Sequence, residues 1–345
     1  MYQFKNTEKN SSKASDFETK SMLYLIWKRS DSKMVNCVTF DCFNDISWIN
    51  KWFNKIWDIQ AKNEQNLNPK KIWEYLYTLY KNYNSIFPFN VFIFFCPKLE
   101  DNYKIDNSKL SYWIDNIKKN ILERIKNWLI EKVIHVEKIT TPEIDTFLTF
   151  VTFVEDNYSS ENNYIKTITS FKNTNIKSDD FYNTIFKELK SILLTKKNNK
   201  NIEDEIIYNV SDVIKFDRYL YKKDIEQIVI SRIIWTNLFH SEIQWLYIPN
   251  SFKPIVSTLN NFDDIQDLIE ACQSDLSRAI FNKSNKKSFW NITEKIITYL
   301  NDSLDREVNI IYNKLFEKYK FTNSYFSENS IKFLISIIIE WYDNS

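Results

Sequence analysis

The sequence predicts an α/β (α+β) N-terminal domain, with a mixed sheet covered by helices, followed by a mainly α-helical C-terminal domain. Three observations carry this. The stretch Asn90-Val-Phe-Ile-Phe-Phe-Cys96 is apolar almost without interruption and is bounded by Pro88 and Pro97. A strand with one wet face would alternate, so this one is covered on both faces and sits centrally. Amphipathic segments lie on either side of it to supply the cover. Beyond Lys177 the apolar spacing turns helical and ends in Phe333-Leu-Ile-Ser-Ile-Ile-Ile339, apolar nearly all round.

In chain order, residues 1–20 are polar and read as an N-terminal arm, residues 21–172 as the α/β domain, and residues 173–345 as the helical domain. Met22–Lys28 and Met34–Cys42 are apolar runs joined by Ser30-Asp31-Ser32-Lys33, which predicts a hairpin. Ile49, Trp52, Phe53, Ile56 and Ile59 recur at helical spacing, with Asn44 or Asp45 as N-cap. Asn68-Pro69 opens a second helix striped by Ile72, Leu76, Leu79, Tyr80 and Tyr83. After the central strand, Ser108 opens an amphipathic helix through Leu129, and Lys132–Ile139 and Thr146–Val154 read as strands. Tyr164–Phe171 adds a strand or begins the second domain.

In the second half, Ser178-Asp179-Asp180 caps a helix carrying Phe181, Ile185, Leu189 and Leu193. Asp224–Phe239 is another helix, and Trp245–Ile248 a short apolar piece. Three longer helices follow at Phe262–Phe281, Phe289 to about Tyr319, and Ser330–Trp341, the last as the buried centre of a bundle.

Composition removes many functions. The 345 residues contain no glycine. Glycine admits positive φ without steric cost and lets backbone approach a phosphate, so P-loops, dinucleotide fingerprints, kinase Gly-rich loops, serine-hydrolase elbows and the usual EF-hand loop are excluded. Turns fall to Asn, Asp, Ser and Pro, with Asn the natural occupant of left-handed positions. The 46 basic and 45 acidic residues nearly cancel, which excludes a globally basic protein that holds RNA or membrane by charge alone. Six of the basic residues are Arg, leaving 40 Lys, and Asn and Ile abound: the signature of a very A/T-rich gene.

Cys37, Cys42, Cys96 and Cys272 form no CxxC pair, and His135 and His240 are the only histidines, so no metal site is expected. No residue pattern calls for a cofactor. With no apolar signal core and no run near the roughly 18 residues that span a bilayer, the expectation is a cytoplasmic protein without a membrane partner.

Candidate chemistry is sparse. His135 and Glu137 would share one face of a strand, and His240 and Glu242 repeat the spacing; either pair could run metal-free general acid/base attack of an RNA 2′-hydroxyl on its phosphate. As side chains satisfied by local structure they would need no function. Asp263, Asp264, Asp267, Glu270 and Asp275 continue an acidic run past the first helical turn, beyond what the helix dipole explains. Such a face can meet a basic partner. Lysine clusters at 118–126, 196–200, 222–223 and 283–287 are solvated faces or, near aromatics, an RNA surface.

The A/T-rich signature, the lack of a secretion signal and the lack of a catalytic motif together resemble proteins of the linear cytoplasmic plasmids of yeasts. Those elements encode secreted killer toxins, some of them tRNA anticodon nucleases, and intracellular immunity proteins that protect the host. The resemblance implies a non-enzymatic antitoxin whose partner is a cognate protein toxin, a basic nuclease. The alternative expectation is a metal-independent ribonuclease using one of the His/Glu pairs, with nucleic acid as its partner.

Overall fold

The computed structural model describes the chain apart from residues 5–11, 137–140, 157–159, 170, 174–175, 200, 234–247, 260, 282–285, 318–325 and 344–345. It has a mixed seven-stranded sheet with helices in its N-terminal part and a helical C-terminal region.

Strand β1 (Tyr2–Gln3) precedes α1 (Ser12–Trp27), a 3-10 turn at Ser30–Lys33, and three antiparallel strands, β2 (Val35–Phe40), β3 (Ile46–Asn50) and β4 (Ile56–Ala61). Helix α2 (Pro69–Tyr83) then crosses to β5 (Phe89–Cys96), which pairs parallel with β4. Next come β6 (Ser111–Trp113), α3 (Lys119–Val136), α4 (Thr141–Thr149) and β7 (Val151–Glu155), the last parallel to β5 and antiparallel to β6. Helices α5 (Glu161–Thr169) and α6 (Asp179–Asn198) lead to β8 (Ile206–Ile207), which pairs with β1, and β9 (Tyr219–Tyr221), which closes the far edge of the sheet on β2. The rest is helical: α7 (Lys222–Ile233), α8 (Lys253–Val256), α9 (Phe262–Phe281), α10 (Lys286–Asp302), α11 (Val308–Phe316) and α12 (Glu328–Asp343).

The sheet order is β6-β7-β5-β4-β3-β2-β9, so β5 is interior as its unbroken apolar run predicts. Phe92, Phe94 and Cys96 join the core under α2 and α3, while Phe95 meets Phe17 and Tyr24 of α1 on the opposite face. Full burial of each such side chain contributes about 1.5–3 kcal/mol. Helix α2 begins where its sequence says, with the Asn68 side chain accepting from the Lys71 amide at 2.9 Å.

Several elements differ from expectation. Residues 12–20 belong to α1, not to a polar arm, and Met22–Lys28 lies at its C-terminal end, not in a hairpin strand. Met22, Leu23, Leu25 and Ile26 are all buried, and a helix covered over so wide a face shows no more alternation than a buried strand. The helix expected around Ile49–Ile59 is the β3–β4 hairpin, whose tip supplies the helical-looking spacing. Residues 108–113 feed β6, and α3 takes in residues 132–136 of the segment expected to be the strand Lys132–Ile139, whose last three residues lie outside the described ones. Thr146–Thr149 ends α4 before β7 begins, and Tyr164–Phe171 is mostly α5. The long helix expected over Phe289–Tyr319 is broken at 303–307, where Asp305 accepts from Lys314 and Tyr299.

Positive φ falls on Asp41, Phe53, Asn66, Asp204 and Asp217 among the described residues, so Asp rather than Asn does most of the work of glycine. The chain forms two compact units, Met1–Tyr164 with Phe186–Asp224, and Ile165–Ile185 with Ile225–Ser345. The first holds the sheet. In the second, α12 packs among α9, α10 and α11, and Phe333, Leu334, Ile335, Ile338 and Trp341 are buried, as its all-round apolarity predicts.

Candidate metal centre

At the carboxyl ends of the parallel strands β4 and β5, the usual place for a site in an open α/β sheet, three carboxylates converge. Glu18 comes from α1, Asp41 from the end of β2, and Asp45 from the residue before β3. One carboxylate oxygen from each lies within 4.8 Å of those of the other two. The loop that joins β2 to β3 sets this up. Asp41 takes a left-handed conformation (φ 49°), and its amide donates to the Asp45 carbonyl at 3.2 Å, which turns both side chains toward one point.

Asp45 is anchored by β4. Its Oδ2 accepts from the Ala61 amide and from Gln60 Nε2, each at 2.8 Å, and Lys62 Nζ stands 3.6 Å away. Gln60 is aimed by Thr78 of α2, whose hydroxyl donates to its amide oxygen at 2.6 Å. Gln60 and Lys62 alternate along the strand and so address Asp45 from the same side. Lys197 of α6 donates to Glu18 Oε1 and Oε2 at 2.9 and 2.8 Å and to Asp41 Oδ2 at 2.9 Å.

Glu18, Asp45 and Lys197 are buried. Burial pushes the Glu18 carboxyl upward and Asp41 adds to this, while Lys197 opposes it. Burial alone would lower Lys197, but Glu18 and Asp41 outweigh it and raise the ammonium. At these distances the pair is ionic. Three carboxylates facing two ammonium groups leave one negative charge in excess. Carboxylate oxygens in this number suit a hard divalent cation such as Mg²⁺ or Mn²⁺, which takes one or two of them and keeps waters or phosphate oxygens as its other ligands.

The sequence-predicted site residues fare differently. His135 lies in α3 and not in a strand, and Glu137 is outside the described residues. His240 and Glu242 also lie outside the described residues. Asp263, Asp264, Asp267 and Glu270 are exposed on α9. Asp275 is engaged instead, accepting from Ser330 Oγ at 2.6 Å.

The carboxylate cluster has no signature in the sequence: its members span Glu18 to Lys197 with no fixed spacing, Glu18 lies in a stretch that reads as a polar arm, and Asp45 in one that reads as a helix cap. A usable signal exists: an acid opening one strand of a hairpin, with Gln-Ala-Lys closing the other.

Two further buried clusters border this end of the sheet. Lys104 and Glu155, both fully buried, pair at 2.6 Å, with Tyr112 donating to the other Glu155 oxygen at 2.5 Å. Asp156 accepts from Lys20 at 2.8 Å and from Tyr164 at 2.6 Å.

No family model and no curated protein matches this sequence. Among solved structures, the chain is similar to the Acinetobacter baumannii Cap4 SAVED/CARF-domain receptor with the cyclic trinucleotide 3'3'3'-cAAA, at 14% identity and TM-score 0.38 over 86% of this chain and 61% of that one. The same receptor with 2'3'3'-cAAA gives 15% identity and TM-score 0.37, and a further structure of it gives 16% and 0.37, covering 63% of that chain. This chain thus matches less than two thirds of each receptor chain, and likenesses this distant carry no weight for the site.

Proposed function

We propose that this chain is a divalent-metal-dependent phosphodiesterase that cleaves nucleic acid. The observation that carries the reading is the convergence of Glu18, Asp41 and Asp45 beside Lys62. In such a site Asp45 and Glu18 would hold the metal, and Gln60 and the Ala61 amide fix the angle at which Asp45 presents its oxygen. A divalent ion held there would supply positive charge for a phosphoryl oxygen and lower the pKa of a bound water. Lys62 contributes an ammonium beside Asp45, where it can hydrogen-bond the attacking water or the phosphoryl oxygen on which negative charge builds. The water oxygen would bond to phosphorus and lose its proton to solvent as the bond to the leaving oxygen breaks, and that oxygen would take a proton from solvent.

The nucleic-acid preference rests on the hairpin itself. The β3–β4 hairpin that brings Asp45 and Lys62 together carries, at its other end, Lys51, Lys55 and Trp52, the last 77% exposed. The tip is stiff: Asn50 Oδ1 accepts from the Asn54 and Lys55 amides at 3.0 and 3.1 Å. An exposed indole between two lysines on a braced tip suits base stacking with phosphate contact.

The test is incubation of plasmid DNA and of RNA with the purified chain in Mg²⁺ or Mn²⁺, beside EDTA and beside Asp45→Asn. Cleavage that needs metal and falls at least about 100-fold in the variant supports the reading; cleavage in EDTA, or full activity of Asp45→Asn, sinks it.

The exposed acidic face of α9 favours a second reading, an immunity factor that masks a basic ribotoxin. Asp263, Asp267 and Glu270 fall on one side of the helix, and neutralising all three should then abolish toxin binding.

A further inference from the structure

Lys197 is the charged group that a metal site does not require. Its side chain is 3% exposed, and it meets both oxygens of Glu18 and one of Asp41. All three ammonium protons are therefore spent on the oxygens a cation would use. Asp45 is held differently, by Gln60, Ala61 and Lys62, and makes no bond to Lys197 among those described. An ammonium and a divalent ion cannot share one seat: both need the same lone pairs, and at a few ångströms in a poorly solvated site their charges repel strongly. Lysine has the means to leave, since its charge rides on a flexible four-carbon stem.

Resting on the metal-site reading above, we infer that Lys197 is a tethered competitor of the metal: it occupies the cation seat between Glu18 and Asp41, a divalent ion enters only by expelling it, and Lys197 thereby sets the metal affinity of the site. The arrangement separates two kinds of ligand. Asp45 is held ready whether or not an ion is present, whereas Glu18 and Asp41 become available only when Lys197 swings out. If the empty seat is populated roughly 1–10% of the time, the apparent affinity falls about 10- to 100-fold below that of a site without the lysine.

The experiment is calorimetric titration of the full chain and of Lys197→Gln with Mn²⁺, together with acylation of lysines in the wild-type chain, read by mass spectrometry with and without Mg²⁺. The expected result is at least about tenfold tighter Mn²⁺ binding by Lys197→Gln, and a wild-type Lys197 that is protected without metal and modified at saturating Mg²⁺. Equal affinity of the two proteins, both active on nucleic acid, overturns the competition and leaves the phosphodiesterase reading standing. Absence of Mn²⁺ binding in both overturns the competition and the metal site together. Should Lys197→Gln fail to fold, the labelling decides alone: a Lys197 that stays protected in Mg²⁺ sufficient for cleavage refutes the proposal.

Discussion

Asp58 offers the sharpest prediction. It is completely buried on β4, where Oδ2 accepts from Asn44 at 2.6 Å and Asn82 at 2.8 Å and Oδ1 from Ser47 at 2.9 Å. All three donors are neutral. Burial pushes its carboxyl up to about 7, and the hydrogen bonds from Asn82, Ser47 and Asn44 oppose this only in part. In the unfolded chain it titrates near 3.9. A carboxyl raised on folding binds more protons in the native state between those values, so stability falls as pH rises from about 4 to about 7. At about 1.4 kcal/mol per pH unit, the full penalty is on the order of 4 kcal/mol above pH 7 and roughly 1–2 kcal/mol at pH 5. Asp58→Asn removes it. The amide oxygen still accepts from Asn44 and Asn82, and the Ser47 hydroxyl rotates to accept from the new NH₂. Guanidinium unfolding of both proteins at pH 5 and pH 8 cancels every other titrating group. The gain of Asp58→Asn over wild type should grow by about 2–3 kcal/mol between the two pH values. Parallel pH profiles would refute the assignment of a buried, protonatable carboxyl at this position.

Other perturbations follow from the same geometry. Lys104→Met removes the ammonium partner of the buried Glu155 and should cost about 3–5 kcal/mol by chemical unfolding, whereas Lys104→Met with Glu155→Leu should recover most of the loss; equal losses would mean that the pair is not coupled. Asn68→Ala removes the cap of α2 and should cost about 1 kcal/mol, read as a lowered unfolding midpoint. Neutralising Asp263, Asp267 and Glu270 together should leave metal-dependent cleavage unchanged, because none of the three is a member of the carboxylate cluster; a loss of cleavage would tie α9 to the reaction.

How much of this could be read in the sequence depended on whether the local signal was unique. Strand β5 was legible because two prolines bound a run too short for a helix and too apolar for a wet face. Helix α2 was legible from Asn68-Pro69, and α12 from an apolarity that leaves no solvated side. Helix α1 was not, since a helix buried over most of its circumference loses the 3.6 period. The β3–β4 hairpin was hidden because it lacks a glycine turn: Phe53 takes φ 55° and the Asn50 side chain closes the tip, neither of which is a turn signal in sequence. The candidate site depended on that hairpin. Once β3 and β4 were read as helix, Asp45 became a cap and Gln60 and Lys62 lost their relation to it. Glu18 and Lys197, 179 positions apart, are brought together only by tertiary packing. The run around His135 reads as a strand because Val133, Ile134 and Val136 are β-branched, yet residues 132–136 belong to α3.

A divalent ion received by Glu18, Asp41 and Asp45 can be looked for in crystals. Crystals of the chain grown or soaked with Mn²⁺, measured for anomalous scattering, test it most directly. The account predicts a Mn²⁺ peak within coordination distance of Asp45 and Glu18, with the Lys197 ammonium displaced from between Glu18 and Asp41. Saturating Mn²⁺ with no peak at these carboxylates, and Lys197 still seated on them, would contradict it.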